Sequence, residues 1–167
     1  MNPINVCILT VSDRAFQNLR KDLSGPKLQE YVEQKGWFVS ETKIVPDDSK
    51  RIITTLRNWC ESATYPHIIL TTGGTGFAPR DVTPEATRKV IEKEAPGLAE
   101  IMRLKGLDSS PYSILSRGIV GIYKKTIIVN LPGSPKAAAD SLSFIIELLP
   151  HAVSLLSEDP SAAKQHS

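Results

Sequence analysis

Apolar residues in this chain gather into short unbroken runs, separated by stretches where they recur every three or four positions. Residues 4–11 are apolar almost throughout, as in a strand covered on both faces. Ser24-Gly25-Pro26 then opens a helix to about Lys35, and Gly36 ends it. Phe38–Val45 reads as a second strand. Ile52, Ile53, Leu56 and Trp59 share one face at helical spacing, which predicts a helix over 49–60. A third strand is expected over 67–72, a third helix over 84–94, and a short helix from Pro96 through Leu98, Ile101 and Leu104. Residues 119–123 and 126–131 are spaced to form a hairpin around Lys124-Lys125. A last long helix is expected over 135–156.

Strands alternating with helices imply a three-layer α/β/α sandwich with a mostly parallel sheet and one antiparallel hairpin strand. The pattern forms one domain over 1–159, with 160–167 a flexible C-terminal tail. In such sheets ligands sit beyond the carboxyl ends of the strands. The first strand exits into Ser12-Asp13, the second into Pro46-Asp47-Asp48, and the third into Gly73-Gly74-Thr75-Gly76. The last exits into Asn130-Leu131-Pro132-Gly133-Ser134-Pro135. With the first hairpin strand antiparallel, Ser116-Arg117-Gly118 joins them, and every unusual polar loop falls on one edge.

Composition narrows the function classes. Length (167 residues), 41% hydrophobic and 23% charged content suit an ordinary globular domain. A formal charge of +2 with scattered basic residues gives no support to nucleic-acid binding. No apolar run spans a bilayer and no signal-peptide pattern opens the chain, so no membrane association is expected and the cytoplasm is the default location. Cys7 and Cys60 both sit in apolar patterns and read as buried thiols, while His67, His151 and His166 have no zinc-ligand spacing to them.

The 71–86 stretch is the most informative. It runs from the third strand through three glycines, the donors Thr75 and Arg80, and the carboxylate Asp81, to Thr83-Pro84-Glu85. That last triplet reads as an N-cap, a first-turn proline and a first-turn acid. Glycines let backbone N–H groups approach an anion, and a helix N-terminus favours negative charge. The competing reading is a tight turn and nothing more. The loop is neither a Walker motif nor a dinucleotide fingerprint. Asp81, Asp47 and Asp48 are either helix caps or metal ligands, and two acids beside a phosphate site suit Mg²⁺, which takes one or two carboxylates plus substrate phosphates. Arg117 can meet a phosphate or a surface acid. Trp37 and Trp59 read as packing. Ser12, Ser24 and Ser116 lack a nucleophile-elbow setting.

Together these motifs resemble the MoaB/Mog family of molybdenum-cofactor proteins, above all MogA-type molybdopterin adenylyltransferases and the G domains of the plant cofactor protein and of gephyrin. The resemblance runs from Val6 to about Leu156. It rests on Leu9-Thr10-Val11-Ser12-Asp13, Ser24-Gly25-Pro26, Val45-Pro46-Asp47, the 71–86 block, Leu115-Ser116-Arg117 and Asn130-Leu131-Pro132-Gly133. It implies a homotrimer that uses ATP and Mg²⁺ to transfer AMP onto the terminal phosphate of molybdopterin, with transient contacts to a molybdate insertase and molybdopterin synthase. Asp47 and Asp81 would be the catalytic, metal-binding pair; alignment of Arg51-Ile52 and Trp59 selects Asp47 over Asp48. Ser12, Ser24, Gly25, Pro26, Gly73, Gly74, Thr75 and Gly76 would contact the nucleotide or the pterin. So would Glu85, Ser116, Arg117, Pro132, Gly133 and Ser134. Their division between the two ligands stays open. The rival readings are a molybdopterin-binding or scaffold protein without adenylyl transfer, and an unrelated nucleotide hydrolase.

Overall fold

A computed structural model describes residues 3–158; the tail expected over 160–167 lies outside them. The first strand, β1 (Asn5–Val11), is followed by a single helical turn, α1 (Asp13–Phe16), where the sequence suggested only a polar loop. Then come α2 (Ser24–Gln34), β2 (Phe38–Val45), α3 (Ser49–Glu61) and β3 (Ile68–Thr72). Gly36 ends α2 with φ of 76°, a conformation that glycine adopts without penalty.

Two expectations fail beyond β3. The third helix, α4 (Thr83–Arg88), stops well short of Glu94. Glu92 N–H instead bonds Ile122 O at 2.8 Å, and Lys93–Glu94 forms a short strand, β4, antiparallel to β5 (Val120–Tyr123). Sheet pairing ends the helix that the sequence pattern carries through Val90 and Ile91 to Glu94. The last helix is also two: α6 (Pro135–Ser143) and α7 (Leu149–Leu156). Pro150 lies in the first turn of α7, where its missing N–H costs nothing; inside one continuous helix it would remove a hydrogen bond. Between these elements lie α5 (Pro96–Gly106), a 3₁₀ turn over Pro111–Leu115, and β6 (Thr126–Leu131).

The sheet has the order β2-β1-β3-β6-β5-β4. β2, β1, β3 and β6 run parallel, while β5 is antiparallel to β6 and β4 to β5. Successive side chains of β1 enter opposite cores, as the period of a strand requires. Val6 and Ile8 join Leu28, Leu142 and Leu149 on one face; Cys7, Leu9 and Val11 join Ile52, Leu56, Trp59 and Ala86 on the other. The α/β/α sandwich expected from the sequence is therefore present. Both cysteines are buried free thiols, and burial pushes the Cys60 thiol up to about 11. Among the described residues no helix is long and apolar enough to cross a membrane.

Candidate active site

The glycine loop after β3 is held open by backbone geometry. Gly73 and Gly74 have φ of 99° and 65°. A Cβ on Gly73 would stand 2.2 Å from Val11 O, and one on Gly74 would stand 2.4 Å from Thr83 Oγ1, so only glycine fits. The Thr83 hydroxyl does not cap α4, as the sequence suggested; it donates to Gly73 O at 2.9 Å and closes the loop. Gly73 N–H is spent on Leu131 O at 3.2 Å. Among the described residues, however, the N–H groups of Gly74, Thr75 and Gly76 donate to no protein acceptor. Three free donors in one short turn suit an anion.

The two adjacent aspartates after β2 have separate duties. Asp48 caps α3, its Oδ1 accepting Arg51 N–H at 2.8 Å. Asp47 turns inward and exchanges two bonds with Asp13: Asp13 N–H donates to Asp47 Oδ2 at 2.8 Å, and Asp47 N–H to Asp13 Oδ1 at 3.0 Å. The Arg80 guanidinium forks onto both Asp13 oxygens and donates to Asp47 O at 3.1 Å. That bond to Arg80 is the main reason the Asp13 carboxyl lies below its ordinary value. Burial pushes the Asp47 carboxyl up, and the charges of Asp13 and Asp81 push the same way. Asp81 does not cap α4 either. Its Oδ2 accepts Ala78 N–H at 3.0 Å. Among the described residues no donor reaches Oδ1 of Asp47 or of Asp81.

Arg117 is fully engaged. It donates to Gly76 O and Asp81 O, each at 2.8 Å, and pairs with Glu85, while its own N–H donates to Thr75 O at 2.9 Å. Glu85 is held below the ordinary carboxylate value: burial, the largest single influence, pushes it up, but the Arg117 bond, a bond from its own backbone and the charges of Arg117 and Arg88 together outweigh it. Ser116 and Ser24 are likewise tied in: Ser116 Oγ accepts Gly118 N–H at 3.3 Å, and Ser24 Oγ donates to Gly133 O at 2.6 Å. Ser12 and Ser134 cap α1 and α6.

Two clefts meet at this edge. The larger, about 690 Å³, is lined by Thr75, Gly76, Ser116 and Pro132, with Phe77, Tyr112 and Phe144 giving it an aromatic wall. The smaller, about 320 Å³, takes in Ser12, Ser24, Asp47 and Gly73, with Arg20 and Lys21. Gly74, Asp81, Gly133 and Ser134 line both. Gly25 and the exposed Pro26 face a separate groove beside β2, and Glu85 and Arg117 line neither cleft. The sequence singles out neither Asp13 nor Asp22, which lines the smaller cleft, nor Tyr112 of the larger. Asp13 lies directly after Ser12 and Asp22 two residues before Ser24, so position alone is a signal for both; Tyr112 carries none.

Residues 7–151 match the family described as "Probable molybdopterin binding domain". The molybdenum cofactor synthesis protein cinnamon of Drosophila melanogaster is 44% identical over 99% of this chain, which spans only 28% of that protein. Gephyrin of Dictyostelium discoideum is 37% identical over 97% of the chain, again about a quarter (24%) of the relative. Molybdopterin adenylyltransferase of Helicobacter pylori is 39% identical, with 93% of this chain and 89% of the relative covered. Among solved structures, the molybdopterin biosynthesis enzyme MoaB of Thermus thermophilus superposes with a TM-score of 0.88 at 46% identity, covering 94% and 98% of the two chains. The chain belongs to the molybdopterin-binding domain family of molybdenum-cofactor biosynthesis.

Proposed function

We propose that this domain is a molybdopterin adenylyltransferase, transferring AMP from ATP to the terminal phosphate of molybdopterin with release of pyrophosphate. The observation that carries the reading is the wall shared by the two clefts, where Gly74 and Asp81 stand between them. Two phosphate-bearing ligands, one per cleft, would bring their phosphates together beside the free N–H groups of Gly74, Thr75 and Gly76. The aromatic wall of the larger cleft suits a planar ring system. The relatives named molybdopterin adenylyltransferase support the same chemistry.

The acceptor phosphate is anionic at neutral pH, so no strong general base is needed. One of its oxygens attacks the α-phosphorus of ATP, forming the new anhydride bond as the bond to the pyrophosphate oxygen breaks. The protein's work is positioning and electrostatics. The glycine-loop N–H groups hold phosphate oxygens. Arg117 keeps that loop in place through Thr75, Gly76 and Asp81. Asp47 and Asp81 fit Mg²⁺, since each keeps one carboxylate oxygen free of protein donors and the cation takes hard oxygen ligands. Bound there, Mg²⁺ would supply positive charge that offsets the developing charge on the phosphates. We further propose a cytoplasmic homotrimer, with transient contact to a molybdate insertase and molybdopterin synthase. Sedimentation of a monomer alone would refute the trimer.

The test is product analysis with molybdopterin, ATP and Mg²⁺. Adenylylated pterin and pyrophosphate should appear together, and Asp81→Asn should lower their formation by about 10²-fold or more while pterin binding persists. Pterin binding by the wild type without any adenylylated product would leave a binding module. Normal turnover in Asp81→Asn would remove the metal role.

A further inference from the structure

Arg80 stands next to Asp81 in the chain, yet its side chain reaches away from that loop to the turn after β2. Its Nη2 donates to Asp13 Oδ1 at 2.9 Å and to Asp47 O at 3.1 Å, and its Nε to Asp13 Oδ2. Asp13 in turn grips Asp47 through the two reciprocal backbone bonds at 2.8 and 3.0 Å. One residue thus joins three segments: the start of α1, the Asp47 turn and the Asp81 loop. Thermodynamic stability does not explain this arrangement. The Arg80 side chain is 65% exposed, and an ion pair so exposed stabilises a fold little. Geometry explains it better. A guanidinium fork is planar and fixed, so a bidentate grip on Asp13 with a third bond to Asp47 O leaves little freedom between the loops. Arg117 makes the matching contact on the other side, donating to Asp81 O at 2.8 Å while pairing with Glu85. Each aspartate backbone is therefore held by an arginine anchored to a second carboxylate. Among the described residues, Arg80 alone spans from one aspartate loop to the other.

We infer that Arg80 is a positioning residue that tethers the Asp47 turn to the Asp81 loop and so fixes the separation of the two carboxylates. The inference rests on the reading that this pair holds a divalent cation with the nucleotide. Loosening the tether leaves both carboxylates in place but makes their approach to one cation less favourable. The consequence is a weaker metal site, since outer-shell partners of metal ligands typically set about 10–100-fold in affinity.

The experiment uses Mn²⁺ as the probe, measured by electron paramagnetic resonance on the full chain in the presence of ATP. Wild type, Arg80→Ala, Arg80→Lys and Asp81→Asn are compared. Metal-free ATP binding and thermal unfolding are recorded for each. Arg80→Ala should weaken Mn²⁺ binding by about tenfold or more, leave metal-free ATP binding unchanged, and unfold within a few degrees of wild type. Arg80→Lys should be weakened too, because an ammonium keeps the charge but not the fork. It also serves as the second variant should Arg80→Ala fail to fold. Mn²⁺ binding at wild-type strength in both Arg80 variants, with Asp81→Asn impaired, would overturn the tether alone. Equal loss of ATP affinity with and without metal would also overturn it, making Arg80 a direct phosphate contact. Wild-type Mn²⁺ binding in Asp81→Asn would overturn the metal reading, and the tether with it.

Discussion

Two loops of this fold look alike in sequence and differ in what they leave for a ligand. Ser24-Gly25-Pro26, the first turn of α2, and Gly73-Gly74-Thr75-Gly76, ahead of α4, both place small residues at a helix N-terminus. At the first, Asp22 Oδ1 accepts the N–H groups of both Ser24 and Gly25 at 3.0 Å, and Asp22 Oδ2 accepts the Thr10 hydroxyl at 2.6 Å. The positive end of α2 already has its anion. At the second, Asp81 and Thr83 turn their side chains to Ala78 N–H and Gly73 O, and three N–H groups stay open. A glycine-rich turn before a helix is therefore an anion site only where the protein has not filled it with a carboxylate of its own.

The largest test of the comparison is Gly74→Ala. Alanine there must adopt φ of 65°, with its Cβ 2.4 Å from Thr83 Oγ1 and 3.2 Å from Asp47 Oδ1. Loss of stability should be about 1–3 kcal/mol, and adenylylation should fall by about tenfold or more as the open donors shift. Gly36→Ala is the control for backbone strain. It requires φ of 76° but meets nothing within 4 Å. It should cost about 1 kcal/mol and leave turnover unchanged. Equal activity in the two variants, each folded, would break the comparison.

How far the sequence discloses these differences depends on the range of the interaction. β1 and the parallel sheet are legible because unbroken apolar runs have few other solutions. The open loop is legible because three glycines exceed what one turn requires. The resemblance selects Asp47 over Asp48, and the structure gives those neighbours different partners, with Asp48 capping α3. Other features depend on contacts between segments far apart. Arg80 reaches Asp13 across 67 positions, and Arg117 reaches Glu85 across 32, so no local pattern announces either clamp. The end of α4 is illegible for the same reason, since the segment that stops it, β5, comes about 30 residues later. Asp22 is the reverse case: a local cap, two residues ahead of the motif, hidden because Ser24 is itself a good cap residue.

Asp22→Ala gives the smaller and more discriminating test. The substitution removes the acceptor for two backbone N–H groups and for the buried Thr10 hydroxyl. A lost helix cap costs about 0.5–2 kcal/mol, and the stranded hydroxyl raises the total toward the upper end. Thermal unfolding should move down by about 2–4 °C for each kcal/mol in a domain of this size. Asp22 also lines the smaller cleft with Arg20 and Lys21, so its removal takes one negative charge from a cleft proposed to receive a phosphate-bearing ligand. Nucleotide affinity, measured calorimetrically below the unfolding range, should therefore hold or rise while stability falls. That opposite movement separates a loop that is already filled from one built to be filled. A loss of nucleotide affinity of about tenfold in a folded Asp22→Ala variant would mean that the Ser24-Gly25 loop is itself shaped for the ligand, with Asp22 holding it ready, and the contrast between the two loops would fail.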